Sequence, residues 1–425
     1  MLMRYARSVQ AILPGGALTL TRHAAGENCN RLFQREACVG TMKIALGLEY
    51  PLKLRGGVGV LVEKLIEGVR EKHEVVLVSP DPPGSIFSGT SGHVHWNPDQ
   101  VSAKTSEELA RRLADLGVSL AHLHLGGNYG WGSRILGQSP FPFLRRRGIA
   151  AVSTVHMVLS IFDGYCDSKK SFWFKCALLP FAWLGKLDTL RNLNAEIVVS
   201  KGACERLKRW YWPFKQKFRA IYHSRLPDAP PPEASGRESL IIAVGHIAFR
   251  KGQHTLAAAF ARIAAAHPTW KLALIGPVGD TGCRAQIETI ISAHRLQNQI
   301  LLPGSREDAA DYMRRAAILV QPSFYEGLPL ALQEGMFYGC AAVATRVIGN
   351  EELIRDGTTG LLVPPDDPDA LALALSDLIK DPAKREKLGR AAVASVIEQG
   401  MTATKMVEQH LALYDLIGHG IRVGG

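Results

Sequence analysis

The stretch from Ile318 to Gly339 reads ILVQPSFYEGLPLALQEGMFYG and carries the strongest indication of the fold. Its first residues complete an apolar run, Ala316–Val320, that has the length of a buried strand. A loop over residues 321–327 follows, and a helical pattern begins near Pro329, where a proline costs no hydrogen bond. Gly339 can end that helix, because glycine accepts the left-handed backbone found after a helix. The stretch therefore predicts a strand, a loop and a helix in direct succession.

Two carboxylates bracket the start of this helix, Glu326 in the loop and Glu334 eight positions later in the second helical turn. The free amides of Gly327, Leu328 and Leu330, together with the helix dipole, favour an anion at the helix start. Glu326 can accept hydrogen bonds from sugar hydroxyls, and Glu334 can bind vicinal hydroxyls such as those of a ribose. Two solvated surface glutamates are the alternative, and their spacing alone does not decide between the two interpretations.

Eight positions of the stretch share one pattern, Pro-Ser-x-x-Glu-Gly-x-Pro-x-x-x-x-Glu-x-Met-x-x-Gly, and they are Pro322, Ser323, Glu326, Gly327, Pro329, Glu334, Met336 and Gly339. This pattern resembles the Glu-x7-Glu signature of retaining GT-B glycosyltransferases, especially glycosyltransferase family 4. The resemblance implies an α/β chain with two Rossmann-like, doubly wound domains that face each other across a cleft. It also implies that Glu326 contacts the transferred sugar and that Glu334 binds the ribose of a nucleotide-sugar.

Length and composition agree with a folded chain of two domains. The chain has 425 residues, enough for two domains of about 200 residues each. A hydrophobic fraction of 47% supports globular cores, and no apolar run reaches the ~18 residues that a transmembrane helix needs. The seven cysteines are scattered, odd in number and without a Cys-x-x-Cys pair, at positions 29, 38, 166, 176, 204, 283 and 340. This usage predicts reduced thiols, with neither a disulfide framework nor a metal site.

The positive charge is concentrated in the first half of the chain. Residues 1–240 hold 32 Lys and Arg against 20 Asp and Glu, a balance of +12. Residues 241–425 hold 18 against 19, a balance of −1, so the two halves together give the net charge of +11. This asymmetry predicts an anionic partner for the first half.

The chain is predicted to consist of a leader, two domains, a linker between them and a final helix. Residues 1–41 show no periodic apolar face, and a natural start at Met42 makes them a disordered tail or a mis-annotated start, with a targeting peptide as the alternative. A proline-rich segment, residues 227–235, indicates an interdomain linker. The predicted limits are 1–41 for the leader, 42–228 for the first domain, 229–238 for the linker, 239–400 for the second domain and 401–425 for the final helix. The resemblance implies that this helix crosses back to the first domain.

Strands and helices alternate in both predicted domains. Strands are predicted at residues 44–48, 74–78, 120–125, 151–155, 240–244, 272–275 and 300–302. Helices are predicted at residues 59–70, 107–116, 255–266, 368–380 and 403–417. Such alternation favours parallel sheets with helices on both faces, and ligands of these sheets bind beyond the carboxyl ends of the strands.

The first predicted strand is followed by a glycine-rich loop, residues 55–59, that opens a helix. The loop is not a dinucleotide fingerprint, because Val62 stands where a third glycine is needed. Gly56 and Gly57 still permit close approach of the backbone to a ligand. The resemblance implies that this loop lies against the donor phosphates and the acceptor, and a plain tight turn is the alternative.

His156 follows the strand over residues 151–155. A single histidine is more often structural than functional, although the end of a parallel strand favours a role in the site. The sequence Thr154-Val-His156 is similar to a Thr-x-His motif of the family, which implies contact of the imidazole with the transferred sugar. Met157 departs from the Gly or Asp that usually follows in the family.

A second candidate loop, residues 245–252, enters the helix that begins near residue 255. Arg250 and Lys251 stand at a helix N-terminus, where the dipole disfavours cations, so a shared anion explains them better than an exposed turn. The family holds the donor diphosphate with an Arg and a Lys in this loop. By resemblance Lys251 takes the Lys position, while His246 replaces the usual Arg and Arg250 compensates for that change.

Basic residues are interleaved with aromatic residues over residues 201–219. This composition is typical of an anionic membrane surface or of single-stranded nucleic acid, and an ordinary solvated helix with core aromatics is the alternative. No nucleic-acid motif accompanies the run, so an anionic membrane surface is the predicted partner and nucleic acid is not.

The resemblance to the family implies a retaining, metal-independent hexosyltransferase that needs no cofactor. Its expected partners are a UDP- or GDP-linked nucleotide-sugar donor and a glycan or lipid-linked acceptor of cell-surface polysaccharide or lipopolysaccharide biosynthesis. The expected place is the cytoplasm, with peripheral binding to the cytosolic face of the inner membrane. A nucleotide-sugar epimerase and a catalytically silent GT-B binding protein are the alternative hypotheses.

Overall fold

The computed structural model describes residues 40–52, 57–126, 138–158, 172–229 and 236–420. Residues 41–425 form one compact unit. The prediction about the leader falls almost entirely outside the described residues, and the predicted domain limits stay predictions.

The first sheet contains seven parallel strands within the described residues, in the order β3-β2-β1-β4-β5-β6-β7. Its strands are β1 (Lys43–Leu48), β2 (Glu74–Ser79), β3 (Gly92–His95), β4 (Leu120–Leu125), β5 (Ala150–Val155), β6 (Ala195–Val198) and β7 (Phe218–Ala220). Apolar side chains cover both faces, since Ile44 and Leu46 belong to one core cluster and Ala45 between them belongs to another. Successive residues of a strand point to opposite faces, so this sheet is buried on both sides.

The second sheet contains six parallel strands within the same described ranges, in the order β10-β9-β8-β11-β12-β13. Its strands are β8 (Glu238–Val244), β9 (Lys271–Ile275), β10 (Ile300–Gly304), β11 (Ala316–Gln321), β12 (Ala341–Thr345) and β13 (Leu361–Val363). Both sheets therefore reverse their strand order beside their own first strand, which is the doubly wound arrangement. The predicted α/β architecture with two Rossmann-like sheets is confirmed.

Helices connect the strands and cover the sheets. Those of the first half are α1 (Gly57–Val69), α2 (Ala103–Asp115), α3 (Phe141–Arg146), α4 (Phe172–Asn192) and α5 (Lys201–Trp210). Those of the second half are α6 (Gln253–Ile263), α7 (Thr281–Ala293), α8 (Ala309–Arg315), α9 (Leu330–Phe337), α10 (Ile348–Leu353), α11 (Pro368–Lys380), α12 (Pro382–Glu398) and α13 (Ala403–Gly418). Helix α2 begins four residues before the predicted position, because Ser102 and Thr105 form a capping box at its N-terminus.

The last helix, α13, packs against the first sheet. Tyr414 and Ile417 of α13 belong to the same buried cluster as Ile44 and Leu46 of β1. Gly68 of α1 permits the close contact, because a Cβ there would overlap the side chain of Val407. The chain therefore returns from the second sheet to the first at its end.

The basic and aromatic run over residues 201–219 divides into core and surface. Tyr211 and Phe218 are buried in the first core, while Trp212 is 72% exposed. Lys217 was predicted to face an anionic surface, and the structure contradicts this. Its ammonium donates to the carbonyl oxygens of Leu190 and Leu193 at 2.7 and 2.6 Å, and burial followed by the charge of Arg145 lowers its pKa to about 8. Lys217 thus satisfies carbonyls at the end of α4.

Candidate active site

The carboxyl ends of β8 and β11 lie side by side at the point where the strand order of the second sheet reverses. The loops that follow these strands are joined by a backbone hydrogen bond, in which Phe324 N donates to Arg250 O at 2.9 Å. Gly252 has a φ of 68°, and a Cβ there would overlap the carbonyl oxygen of Pro322. The two loops can therefore approach this closely only because residue 252 is glycine.

Glu326 lies between these loops with its side chain 8% exposed. Its Oε1 accepts hydrogen bonds from Lys251 Nζ at 2.6 Å, Ser323 Oγ at 2.7 Å and Gln321 Nε2 at 2.9 Å. Arg250 Nη1 is 3.7 Å from Oε2. Burial acts to raise the pKa of Glu326, but the charges of Lys251 and Arg250 and the hydrogen bonds to the carboxylate outweigh it and lower that pKa.

The structure thus brings Glu326, predicted as catalytic, into contact with Lys251 and Arg250, predicted as donor-binding. Because its pKa is lowered, Glu326 is a carboxylate at neutral pH, so it accepts hydrogen bonds and has no proton to donate. Such a group can orient sugar hydroxyls beside two cations. Its role and those of the cations stay predictions.

Glu334 lies in the second turn of α9, as predicted, and its side chain is 9% exposed. The guanidinium of Arg225 binds it through both oxygens, with Nε donating to Oε1 and Nη2 donating to Oε2 at 2.7 Å. No role was predicted for Arg225 from the sequence. The pair joins residues 109 positions apart, so no local pattern indicates it.

The loops of the first sheet meet the helix start of α9. A Cβ on Gly327 would overlap the carbonyl oxygen of His156, so the backbone after β5 is in contact with the loop of Glu326. A Cβ on Gly57, the first residue of α1, would lie 3.5 Å from Leu330 Cδ1. The predicted site residues from both halves of the chain are therefore brought together, while Gly56 lies outside the described residues.

The remaining predicted donor-binding residues take supporting positions. Leu328 packs against buried apolar residues of the second sheet, and Leu330 packs against buried apolar residues of the first sheet. The carbonyl oxygen of His246 accepts from Gln253 Nε2 at 2.9 Å. Burial, then the charges of Lys251 and Arg250, lower the pKa of His246, so the imidazole at the usual Arg position is neutral.

His156 lies at the edge of a cluster of five imidazoles, and this cluster was not predicted from the sequence. His124 Nδ1 lies 3.2 Å from His156 Nε2, and the ring of His223 lies 5.0 Å from that of His156. His410 of α13 lies 5.5 Å from both His122 and His223. Burial lowers the pKa of all five, to about 3 for His156 and about 4 for His410. The sequence signal that could have indicated this cluster is the pair of alternating histidines, His122 and His124, in β4.

Glu352 was also missed, and it links the two halves of the chain. Its carboxylate accepts from the backbone amides of Lys201 and Gly202 at 3.1 and 2.9 Å, at the N-terminus of α5. It also accepts from Tyr222 Oη at 2.6 Å. A carboxylate at a helix N-terminus is favoured by the dipole. Within the described part of the chain, no group of three or more His, Cys, Asp or Glu side chains is placed to bind a metal ion.

Comparison with known families identifies the family to which this chain belongs. A family model described as glycosyl transferases group 1 matches residues 227–394, and one described as Glycosyltransferase Family 4 matches residues 55–224. This chain belongs to the group 1 glycosyltransferases. The glycosyltransferase is 31% identical to the alpha-D-kanosaminyltransferase of Streptomyces kanamyceticus, over 59% of this chain and 67% of that enzyme.

Other relatives match over shorter parts of their length. LpsE of Rhizobium meliloti, a lipopolysaccharide core biosynthesis glycosyltransferase, is 23% identical over 50% of this chain and 62% of LpsE. An exopolysaccharide phosphotransferase of Streptomyces coelicolor is 35% identical over 32% of this chain, which covers 14% of that protein.

Solved structures confirm the GT-B fold. The glycosyltransferase is similar to sucrose-phosphate synthase from Thermosynechococcus elongatus with a TM-score of 0.72 and 22% identity, covering 89% of this chain and 100% of that one. It is similar to HepE of Anabaena, solved in complex with UDP, with a TM-score of 0.68 and 16% identity, covering 88% and 100%. None of the described helices is both long and apolar enough to span a bilayer.

Proposed function

We propose that this glycosyltransferase moves a hexose-type sugar from a UDP- or GDP-linked donor to a glycan or lipid-linked acceptor, with retention of anomeric configuration. The observation that carries the proposal is the buried carboxylate of Glu326 with Lys251 at 2.6 Å, at the switch point of the second sheet. The UDP in the HepE complex supports a nucleoside diphosphate as the donor's leaving group.

In the proposed mechanism the departing diphosphate is stabilised without a metal or a cofactor. Lys251 and Arg250 would turn from Glu326 toward the phosphates, which carry growing negative charge as the sugar leaves. The bond from the anomeric carbon to the phosphate oxygen breaks while the acceptor oxygen attacks from the same face. The acceptor's proton passes to the leaving phosphate, so no dedicated protein base is required.

The other predicted residues complete this scheme. Glu326 would hold hydroxyls of the transferred sugar, Glu334 the ribose hydroxyls, and the amides near Gly327 the diphosphate. The backbone of His156 contacts Gly327 beside Glu326, and His156 would face the sugar from the first half of the chain.

We further propose that the acceptor is anchored in a membrane and that the enzyme works at its cytosolic face. The exposed side of α4 supports this, because its described exposed residues between 173 and 184 are all apolar. Trp173 and Phe181 are 79% and 66% exposed, and Trp212 lies on the 3-10 helix (Trp212–Lys217) that packs against α4. Exposed aromatics beside a basic half fit the interface of an anionic bilayer.

The test is a donor screen followed by a transfer assay. UDP- and GDP-sugars are screened for an increase in melting temperature, and the stabilising donor is then incubated with lipid-linked and free glycans in the presence of a chelator. We expect sugar transfer only when the acceptor is present. The anomeric bond of the product should have the same axial or equatorial configuration as that of the donor. Transfer should be lost in Glu326→Gln but not in the exposed control Glu288→Gln.

Three results would overturn the proposal. Conversion of the donor sugar without acceptor would indicate the epimerase, and inversion in the product would exclude retention. Absence of stabilisation by every nucleotide-sugar would favour the silent binding protein.

A further inference from the structure

The ion pair of Arg225 with Glu334 occupies the carboxylate that the proposed function assigns to the ribose. Both oxygens of Glu334 accept a guanidinium hydrogen from Arg225, and the carboxylate is nearly buried beneath it. Arg225 is more accessible, with 36% of its side chain exposed. The guanidinium therefore covers Glu334 on the side of the solvent.

A ribose would need the same two oxygens. Its 2′- and 3′-hydroxyls form a pair of neighbouring donors, and a carboxylate binds such a pair through both oxygens, in the way it binds a guanidinium. Arg225 and a ribose diol thus compete for one acceptor group. Simultaneous binding would leave at least one of the donors with poor geometry.

The backbone around Arg225 is fixed, so only its side chain is free to leave. Ser224 Oγ donates to Met401 O at 2.8 Å, and the carbonyl oxygen of Leu226 accepts from Ala403 N at 2.8 Å. Gln333 of α9, next to Glu334, donates to the carbonyl oxygen of His223 at 3.1 Å. These bonds fix residues 223–226 relative to α9, whereas a partly exposed arginine side chain can rotate into water.

We propose that Arg225 is a gate for the ribose, which occupies Glu334 in the free enzyme and leaves it when a nucleoside diphosphate binds. The proposal rests on the proposed function, because it requires Glu334 to hold the ribose. The apparent dissociation constant of the nucleotide is then its intrinsic dissociation constant divided by the fraction of molecules in which Arg225 has left Glu334. Removal of the guanidinium should strengthen binding of ligands that carry a ribose diol and leave other ligands unaffected.

The experiment measures affinity by calorimetry for UDP, GDP, 2′,3′-dideoxyuridine diphosphate and inorganic pyrophosphate. The variants are Arg225→Ala, Glu334→Gln, their combination, and Arg306→Ala as a matched control. Arg306 binds Asp308 through both oxygens at 2.8 and 2.9 Å, so the control removes the same kind of ion pair at an exposed position. Arg225→Gln replaces the alanine variant if melting shows that the latter is unfolded.

We expect Arg225→Ala to bind the preferred nucleotide about 10-fold more tightly and to lower the donor KM with little change in kcat. The gain should be absent for pyrophosphate, for the dideoxy nucleotide, in the Glu334→Gln background and in Arg306→Ala. Unchanged or weaker binding of UDP and GDP by Arg225→Ala overturns the gate, and weaker binding shows that Arg225 positions Glu334 instead. If the unaltered enzyme binds pyrophosphate but neither nucleotide, the ribose site of the proposed function fails, and the gate with it.

Discussion

Lys251 is the cation closest to Glu326, and its removal should separate phosphate binding from nucleoside binding. In Lys251→Ala the lost charge-assisted contact should weaken binding of a nucleoside diphosphate by roughly 1.5–3 kcal/mol, or about 10- to 100-fold. Binding of the free nucleoside should change little. Calorimetry with both ligands checks this, with Lys271→Ala, an exposed position at the start of β9, as the control. Equal diphosphate affinity in both variants would remove Lys251 from the phosphate site.

Substitution of Glu326 and substitution of Glu334 should impair the enzyme in different ways. Glu326→Ala should lower kcat with a modest change in affinity for the free nucleotide, because this carboxylate is predicted to contact the sugar. Glu334→Ala should weaken even the free nucleotide, because it is predicted to hold the ribose. Steady-state kinetics combined with calorimetry separates these effects. Normal binding and turnover in both variants would refute the central assignment.

The sequence indicated those residues of the site that lie within one local pattern. Glu326, Ser323 and Glu334 come from a single stretch of 22 residues, and Lys251 comes from a loop with a recognisable pattern. Arg225 could not be found in this way, because its partner lies 109 positions further along the chain. Local spacing reports helix faces and strand ends, whereas pairs across the cleft depend on how the two sheets are placed.

At the scale of the elements, the contact between the loops after β8 and β11 depends on Gly252. Replacement by alanine meets two obstacles, the left-handed φ of 68° and overlap with the carbonyl oxygen of Pro322. Gly357 is a matched control, since its φ is 70° but no atom lies within 4 Å of a Cβ there. Gly357→Ala should cost about 1–2 kcal/mol of unfolding free energy, and Gly252→Ala about 1–3 kcal/mol more. Urea denaturation measures both, and equal losses would show that the loops separate easily.

The predicted bounds of strand β4 and of helix α11 agree with the observed ones. In β4 all six residues are buried, and glycines at positions 117 and 126 lie on either side of the strand. Strand β3 and helices α7 and α12 are among the elements that were not predicted. β3 has four residues with one fully buried, so pairing with β2, which the sequence does not show, defines it. In α12 the buried residues are too few and too small for a clear apolar face.

At the scale of the whole molecule, the histidine cluster joins the first sheet, residue 223 and the last helix, and it should make stability depend on pH. Burial lowers the folded-state pKa of these histidines below the ordinary 6.5, so below pH 6.5 the unfolded chain binds more protons than the folded one. Their contribution is therefore complete above pH 6.5 and is lost as the pH falls toward about 4, the pKa of His410.

We expect the unfolding free energy to fall by about 1.4 kcal/mol per pH unit for each histidine that remains neutral in the folded state. Urea denaturation between pH 7.5 and 5 measures this slope. His410→Gln should reduce the slope, while the exposed control His294→Gln should leave it unchanged. A slope that is the same in all three proteins would mean that the cluster takes up protons without unfolding.

The two halves of the molecule differ in charge and in exposed apolar surface, and this difference predicts that the first half binds an anionic membrane surface. The balance of +12 before residue 241 belongs to the half that contains α4. Each Lys or Arg near an anionic leaflet contributes about 1 kcal/mol, so several together can hold the enzyme reversibly. Trp173, Phe181 and Trp183 add aromatic surface suited to the lipid–water interface.

Sedimentation with liposomes should therefore show binding that grows with the anionic lipid content and weakens with salt. The double variant Phe181→Ser, Trp183→Ser should reduce binding at every salt concentration, since it removes two aromatic side chains that would insert into the lipid–water interface. Replacement of Lys208, Arg209 and Lys215 by Gln should reduce binding mainly at low salt. Leu373→Ser, which alters an apolar residue on α11 that is more exposed than Phe181 and Trp183, should have no effect, because that helix belongs to the half without excess positive charge. Binding that is indifferent to lipid charge, salt and all of these variants would leave α4 without a membrane partner.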